Sequence, residues 1–480
     1  MSSIILGGNG QAQISLDLKM ANRHGLIAGA TGTGKTVSLQ TLSEQFSTAG
    51  VPVFMVDAKG DLSGLACEGA PHPKITERLN YIGNPSHGFA SNPVVFWDVF
   101  GKSGQPIRTT VSEIGPLLLA NLLELNDTQT GVLYATFKIA DERGLLLLDL
   151  DDLVSMLNHV GDNAKALKAK YGNISASSVG AIQRRLMVLD EQGFGDFLGE
   201  PALEIPDLMQ LDMSGKGFMN IFDVSRLIHK SPKLYATVLL WLLSEVFETL
   251  PEAGDLDKPK FVMFFDEAHL LFDGVSKSLV DKIEQVVRLI RSKSVGVYFI
   301  SQSPLDIPED IAGQLGLKIQ HALRAFTPKD KKMISSVAES FRPNSSFNTE
   351  DVITSLGMGE ALVSTLNQNG SPTEVERTLM SPPMSRIGAA SESERQTQMS
   401  RSPTKTKYTN KVNRESAHEM LVARANAEQA KSKTSHSSAK QKSRSRQSVG
   451  ESFMKSISRA IGSQIGRQLV RGVLGSLFKR

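Results

Sequence analysis

The sequence predicts an α/β protein built on a mainly parallel β-sheet, and three observations carry that reading. Short apolar runs at residues 24–28, 260–265 and 295–301 have the continuous hydrophobic character of strands buried on both faces. After the first run, Leu39, Leu42 and Phe46 recur at helical spacing. Strand and helix signals then alternate from Gly25 to about Asp57, as in βαβ units. With 480 residues, 40% of them hydrophobic and 21% charged, the chain can bury one large core or two ordinary ones.

Taken in order, residues 1–24 read as a β-hairpin segment with its turn at Gly7-Gly8-Asn9-Gly10. Residues 25–108 form the first part of the α/β core and include a strand at Val94–Asp98. Residues 109–212 read as a helical insertion, with an N-cap at Asp127/Thr128 and Gly193 closing a helix from Ser177 to Gln192. Such an insertion suits either a lid that engages substrate or plain packing. Residues 213–380 return to strands and helices, beginning with a strand at Met219–Asp223, and complete the core.

Beyond Pro382-Pro383 the composition shifts to Ser, Thr, Gln, Lys and Arg. Residues 381–450 are expected to be a largely disordered basic linker, with room for one short helix around Glu415–Ala430. In residues 451–480, Phe453, Ile457, Ile461, Ile465, Leu469, Val473 and Leu477 mark a short amphipathic helix, and Gly462 and Gly466 allow close helix contact. This helix is expected to dock on its own assembly or on a protein partner rather than on a membrane.

The net charge of +3 hides a split, because residues 386–480 carry 20 Lys/Arg against 6 Asp/Glu. An acidic body therefore carries a basic tail, which either neutralises nucleic-acid phosphates or serves as a solubilising linker. Cys67 is the only cysteine, which excludes an intrachain disulfide framework and a Cys-based zinc site. The N-terminus lacks a basic start followed by a long apolar segment, and the apolar stretch Ala236–Leu243 is far short of about 20 residues. A cytoplasmic protein is expected.

Gly29-Ala30-Thr31-Gly32-Thr33-Gly34-Lys35-Thr36 fits the phosphate-loop pattern. Its glycines let backbone N–H groups turn inward around phosphate oxygens, and the helix that follows adds the partial positive charge of its N-terminus. Lys35 is placed to neutralise the β- and γ-phosphates of ATP, and the Thr36 hydroxyl to ligate Mg²⁺. The apolar strand 260–265 ends in Asp266 and Glu267. The first carboxylate suits Mg²⁺ and the second suits polarising the attacking water. The strand 295–301 ends at Gln302, whose amide can contact the γ-phosphate or that water.

Together, Ala21–Gly25, the phosphate loop, Val56-Asp57-Ala58-Lys59-Gly60-Asp61, Asp266-Glu267-Ala268-His269 and Ser301-Gln302-Ser303-Pro304 resemble the HerA/FtsK superfamily. Residues from about Ile4 to Met380 are similar to a bacterial subgroup of HerA-like helicase-domain proteins. The resemblance implies a RecA-like P-loop core, ATP and Mg²⁺ as cofactors, and a homo-oligomeric ring, a hexamer above all. It implies a motor that translocates or unwinds DNA, with a motor on polypeptide as the alternative within the superfamily. A nucleotide-gated assembly or scaffold is the alternative from a different class. It also implies that Asp57 orders either the metal or its own loop, and that a neighbouring subunit supplies an arginine. Arg288 with Arg291 and, separately, Arg324 are the positions for it, with Arg291 and Arg324 favoured by motif position. Typical DNA-translocating members carry a sizeable N-terminal β-barrel, whereas about 24 residues precede the loop here.

Overall fold

A computed structural model describes residues 2–273 and 275–435 of the chain. The predicted helix at 451–480 and the end of the predicted linker lie outside the described residues. The described residues form two compact units, one of residues 2–109 and 188–412, the other of residues 110–187 and 413–435.

The first unit holds twelve described strands in one sheet: β1 (Ser3–Gly8), β2 (Gln13–Asp17), β3 (Gly25–Ala28), β4 (Val53–Asp57), β5 (Val94–Asp98), β6 (Gln105–Pro106), β7 (Met219–Asp223), β8 (Phe261–Phe265), β9 (Val295–Ser301), β10 (Leu317–His321), β11 (Glu360–Ser364) and β12 (Glu376–Met380). Their order across the sheet is β2-β1-β12-β11-β10-β3-β9-β8-β4-β7-β5-β6. All pairs from β10 to β6 are parallel, and the other four strands extend that edge antiparallel. Every residue of β3, β4, β5, β8 and β9 is buried, which is why these strands read as apolar runs up to Asp57, Asp98 and Ser301 at the carboxyl ends of β4, β5 and β9.

Register aligns the carboxyl ends of the central strands. Ala28 of β3 pairs with Ser301 of β9 and Gln320 of β10, and Phe265 of β8 pairs with Phe299 of β9 and Val56 of β4. The segments that follow these strands therefore emerge along one edge, where open α/β sheets place ligands. Helix α1 (Lys35–Thr48) packs on this sheet through Leu39, Leu42 and Phe46. The Phe46 ring lies 5.7 Å from that of Tyr298, which in turn lies 5.0 Å from Phe264. The buried Tyr298 hydroxyl donates to the Ala21 carbonyl at 2.7 Å, so the core ring also holds the chain entering β3.

The hairpin forms as β1 and β2, but its turn lies at residues 9–12 rather than 7–10. The Asn9 carboxamide accepts from the N–H groups of Gln11 and Ala12 and makes that turn the stable one. The helical unit is shorter than the predicted insertion, since residues 188–212 return to the first unit. Phe194 and Phe197 are fully buried there, and Phe197 stands edge-on to Trp241 at 5.3 Å. Within the second unit, helix Asp127–Arg143 is capped by Asn126, not by Asp127 or Thr128, because Asn126 and Gln129 close a reciprocal capping box.

The largest correction concerns the linker. Residues 381–412 belong to the first unit, and the helix Ala417–Ser435 to the second. Buried Glu44 accepts from the N–H groups of Met384 at 2.7 Å and Ser385 at 2.8 Å, which fastens the start of this segment. Arg395 then pairs with Asp223 at 3.0 Å, and Gln398 donates to the Val94 carbonyl at 2.9 Å. Tyr408 is fully buried edge-on to Trp97 at 5.2 Å, with its hydroxyl on Asp207. In the second unit, Asp152 accepts from the Ser416 hydroxyl and the His418 N–H. Polar and charged groups fasten this segment, so it carries little apolar periodicity. Tyr408→Ala is accordingly expected to cost about 3–5 kcal/mol of stability, as for other large buried rings. Chemical unfolding would show it, and an unchanged midpoint would return the segment to the status of a loose tail.

Candidate nucleotide site

After β3 the chain turns through Gly29, Gly32 and Gly34, at φ of 152°, 77° and 119°. At Gly29 space as well as conformation demands glycine, because a Cβ there would lie 2.5 Å from the Cβ of His321. The loop is pinned from both sides. The Gly29 N–H donates to the Ser301 carbonyl of β9 at 3.3 Å, and the Ala30 N–H to the Ala322 carbonyl past β10 at 2.9 Å. Thr33 closes the turn through its hydroxyl on the Ala30 carbonyl at 2.7 Å, while Thr31 is exposed.

Lys35 opens α1, and Thr36 follows half-buried. The Lys35 ammonium folds back onto the loop, donating to the carbonyls of Gly29 at 2.6 Å and Ala30 at 3.2 Å. Burial lowers its pKa against the opposing pull of Glu267. His321 supports the loop from behind, with Nε2 bonded to Ser38 Oγ and Nδ1 to the Glu360 carbonyl, both at 2.9 Å.

Asp266 and Glu267 leave the end of β8, both buried. Burial, then the adjacent Glu267 charge, pushes the Asp266 carboxyl up to about 7. Glu267 sits at φ 47°, a left-handed conformation uncommon outside glycine, at the start of a 3-10 turn over Ala268–Leu271. Burial opposes its charge, but the Lys59 ammonium 2.6 Å away prevails and holds the carboxylate below its ordinary range. Gln302, exposed at the end of β9, donates to the other Glu267 oxygen at 3.5 Å.

Fully buried Asp57 spends both oxygens on its own loop, accepting from the N–H groups of Lys59 at 3.3 Å, Gly60 at 2.7 Å and Leu62 at 3.1 Å. Burial and the nearby Asp61 charge raise its pKa to about 7. Of the two roles open to it, the geometry shows loop ordering, and that loop presents Lys59 to Glu267.

The structure thus brings Lys35, Asp266, Glu267 and Gln302 to one edge. Arg324 is exposed three residues beyond β10 on that same edge. Arg291 lies before β9, at the opposite end of a strand roughly 20 Å long. Sequence reasoning gave no role to Lys59 or His321. Lys59 lay within a segment already singled out, but nothing in its spacing shows that it reaches Glu267. His321 carried no signal.

A phosphate loop between β3 and α1, with acids at the end of a neighbouring parallel strand, defines a P-loop nucleotide-binding protein of the RecA-like fold class. The chain belongs to the helicase HerA-like C-terminal family, which it matches over residues 3–480. It is similar to the DNA double-strand break repair helicase HerA of Sulfolobus acidocaldarius, 24% identical over 369 residues, covering 75% of this chain and 65% of that protein. This chain therefore spans just under two thirds of that relative's length. In fold it resembles the plasmid coupling protein TrwB in complex with the GTP analogue GDPNP, with TM-score 0.52 at 14% identity over 81% of this chain and 92% of that one. It also resembles VirB4 of Thermoanaerobacter pseudethanolicus, with TM-score 0.50 at 16% identity over 82% of this chain and 98% of that one. Among the described residues, no helix is long and apolar enough to cross a membrane.

Proposed function

We propose that this protein is a Mg²⁺-dependent ATPase that works as a cytoplasmic, ring-forming motor on DNA, with a hexamer as the favoured assembly. The observation that carries the ATPase reading is the gathering of Lys35, Asp266, Glu267 and Gln302 at the aligned ends of β3, β8 and β9. In this reading the loop N–H groups from Gly29 to Thr36 hold the phosphates. Lys35 leaves the Gly29 and Ala30 carbonyls to neutralise the β- and γ-phosphates.

The oxygen donors Thr36 and Asp266 suit Mg²⁺, which takes one or two protein oxygens and completes its shell with phosphate and water. Bound there, Mg²⁺ would neutralise charge developing on the phosphates. Glu267 polarises the attacking water, and Gln302 reports the γ-phosphate. A Glu267 carboxylate paired with Lys59 is a weakened base, so a γ-phosphate that draws Lys59 away couples nucleotide arrival to activation. Arg291, which cannot reach its own chain's loop, and exposed Arg324 are the candidates to act on a neighbour's nucleotide.

DNA as the polymer is favoured by the HerA relative, named for double-strand break repair, and by the basic residues of the C-terminal region. The amphipathic segment at 451–480 would recruit a protein partner or a second copy. The test is ATP turnover with and without single-stranded DNA, duplex DNA and RNA at two salt concentrations, on the full chain and on one ending at Ser435. DNA stimulation retained by the shorter chain supports a nucleic-acid path within the motor. Stimulation lost with the tail makes DNA a tethered ligand. Absence of stimulation by any nucleic acid sinks the DNA motor and favours a polypeptide substrate or an ATP-gated scaffold.

A further inference from the structure

At the amino ends of the parallel strands, on the edge opposite the nucleotide site, the first unit carries a cleft of about 660 Å³. Its charged wall is Arg23, Arg288, Arg291, Lys318 and Arg342, and no Asp or Glu lines it. Separate elements converge to build it. Arg23 immediately precedes the entry to β3, Lys318 lies in β10, Arg288 and Arg291 lie at the end of the helix Lys277–Ile290, and Arg342 follows the helix Pro328–Glu339.

The convergence is held by backbone, because the Arg23 carbonyl accepts from the Gly316 N–H at 2.8 Å and the His24 carbonyl from the Leu317 N–H at 3.1 Å. Lys318 donates to the Ser340 carbonyl at 3.0 Å, and Arg342 pairs with Glu374 at 3.4 Å. Arg23, Arg288 and Arg291 have no ion pair or hydrogen bond through their guanidinium groups among the described residues. Burial and the neighbouring Arg23 charge both lower the pKa of Arg291, while Asp255 opposes them. Like charges gathered around one cleft repel one another, and a bound anion relieves that repulsion.

His24 sits in the same wall and adds a second observation. It is 2% exposed, holds a left-handed φ of 59°, and its Nδ1 accepts from the Val297 N–H at 3.1 Å. Burial keeps the ring neutral, with a pKa near 4, so Nε2 carries the proton. The Val287 backbone opposes the effect of burial by raising the ring's pKa. The buried ring and its left-handed backbone fix one wall of the cleft beside the guanidiniums.

We propose that this cleft is a second anion site, which binds a phosphate-bearing ligand through Arg23, Arg288 and Arg291. Several guanidiniums around one space match a group with several negative oxygens, since each fork donates to two of them. The volume suits a nucleotide-sized ligand or a short run of phosphodiester backbone rather than a single small ion. The site does not share the phosphate loop of its own chain, from which β9 separates it by roughly 20 Å, and of its three arginines Arg291 alone is also a candidate to act on a neighbour's nucleotide.

The probe is inorganic pyrophosphate, titrated calorimetrically into the full chain, the Lys35→Ala variant and the Arg23→Gln/Arg288→Gln double variant. The wild type should bind two per chain. Lys35→Ala should retain the second site, and the double variant should lose it or bind it at least 10-fold more weakly. The single exposed substitution Arg288→Gln, expected to weaken that site by at least 3-fold, serves if the double variant unfolds at a lower midpoint. A single pyrophosphate per chain in the wild type overturns the proposal, as does a second site indifferent to these arginines. A single-stranded oligonucleotide that displaces the second pyrophosphate identifies phosphodiester backbone as the source. One that leaves it bound identifies a free phosphate compound.

Discussion

Glu267→Gln is expected to keep ATP bound while lowering turnover by about 10²- to 10⁴-fold, the usual contribution of a positioned general base. The substitution preserves shape, so the left-handed turn after β8 and the contact with Gln302 can persist. It removes the negative charge that pairs with Lys59 at 2.6 Å and that would orient the attacking water. Single-turnover hydrolysis together with binding of a fluorescent ATP analogue separates the two effects. Normal turnover in the variant would take the base away from Glu267, while lost binding with lost turnover would assign the residue to structure.

Lys35→Ala should show the opposite pattern, with ATP affinity falling about 10- to 100-fold, as expected for losing a charged hydrogen-bond donor, and turnover falling to background. The ammonium already bridges two loop carbonyls, so its removal also takes that donor from Gly29 and leaves Ala30 with the Thr33 hydroxyl. Equilibrium binding of a non-hydrolysable ATP analogue, with and without Mg²⁺, is the direct measurement. Affinity equal to the wild type would mean that the loop N–H groups hold the phosphates unaided and that Lys35 acts elsewhere.

The strands were the most legible part of the fold, since strands buried on both faces are apolar at most positions. Val94–Asp98, Met219–Asp223 and Val295–Ser301 appear with the predicted bounds. The segment after Met380 was the least legible. Its anchors are Glu44, Asp223 and Asp207, carboxylates far away in sequence, and a polar fastening leaves no periodic trace. The helical insertion was visible as helix, but its end was not, because Phe194 and Phe197 look alike whichever unit buries them.

By itself the sequence determined the phosphate loop, the acidic pair at a strand end and the parallel α/β class. Each of these follows from local spacing and from backbone conformations that only particular residues adopt. Tertiary structure alone decided what those groups face. It set Lys59 on Glu267, His321 behind Gly29 and Asp57 on its own loop. It also separated Arg291 from Arg324 by the length of the sheet and gathered Arg23, Arg288 and Arg291 around one cleft. Apart from the local bonds of Asp57, these are long-range contacts, fixed by strand order and register and not written in the spacing of neighbouring residues.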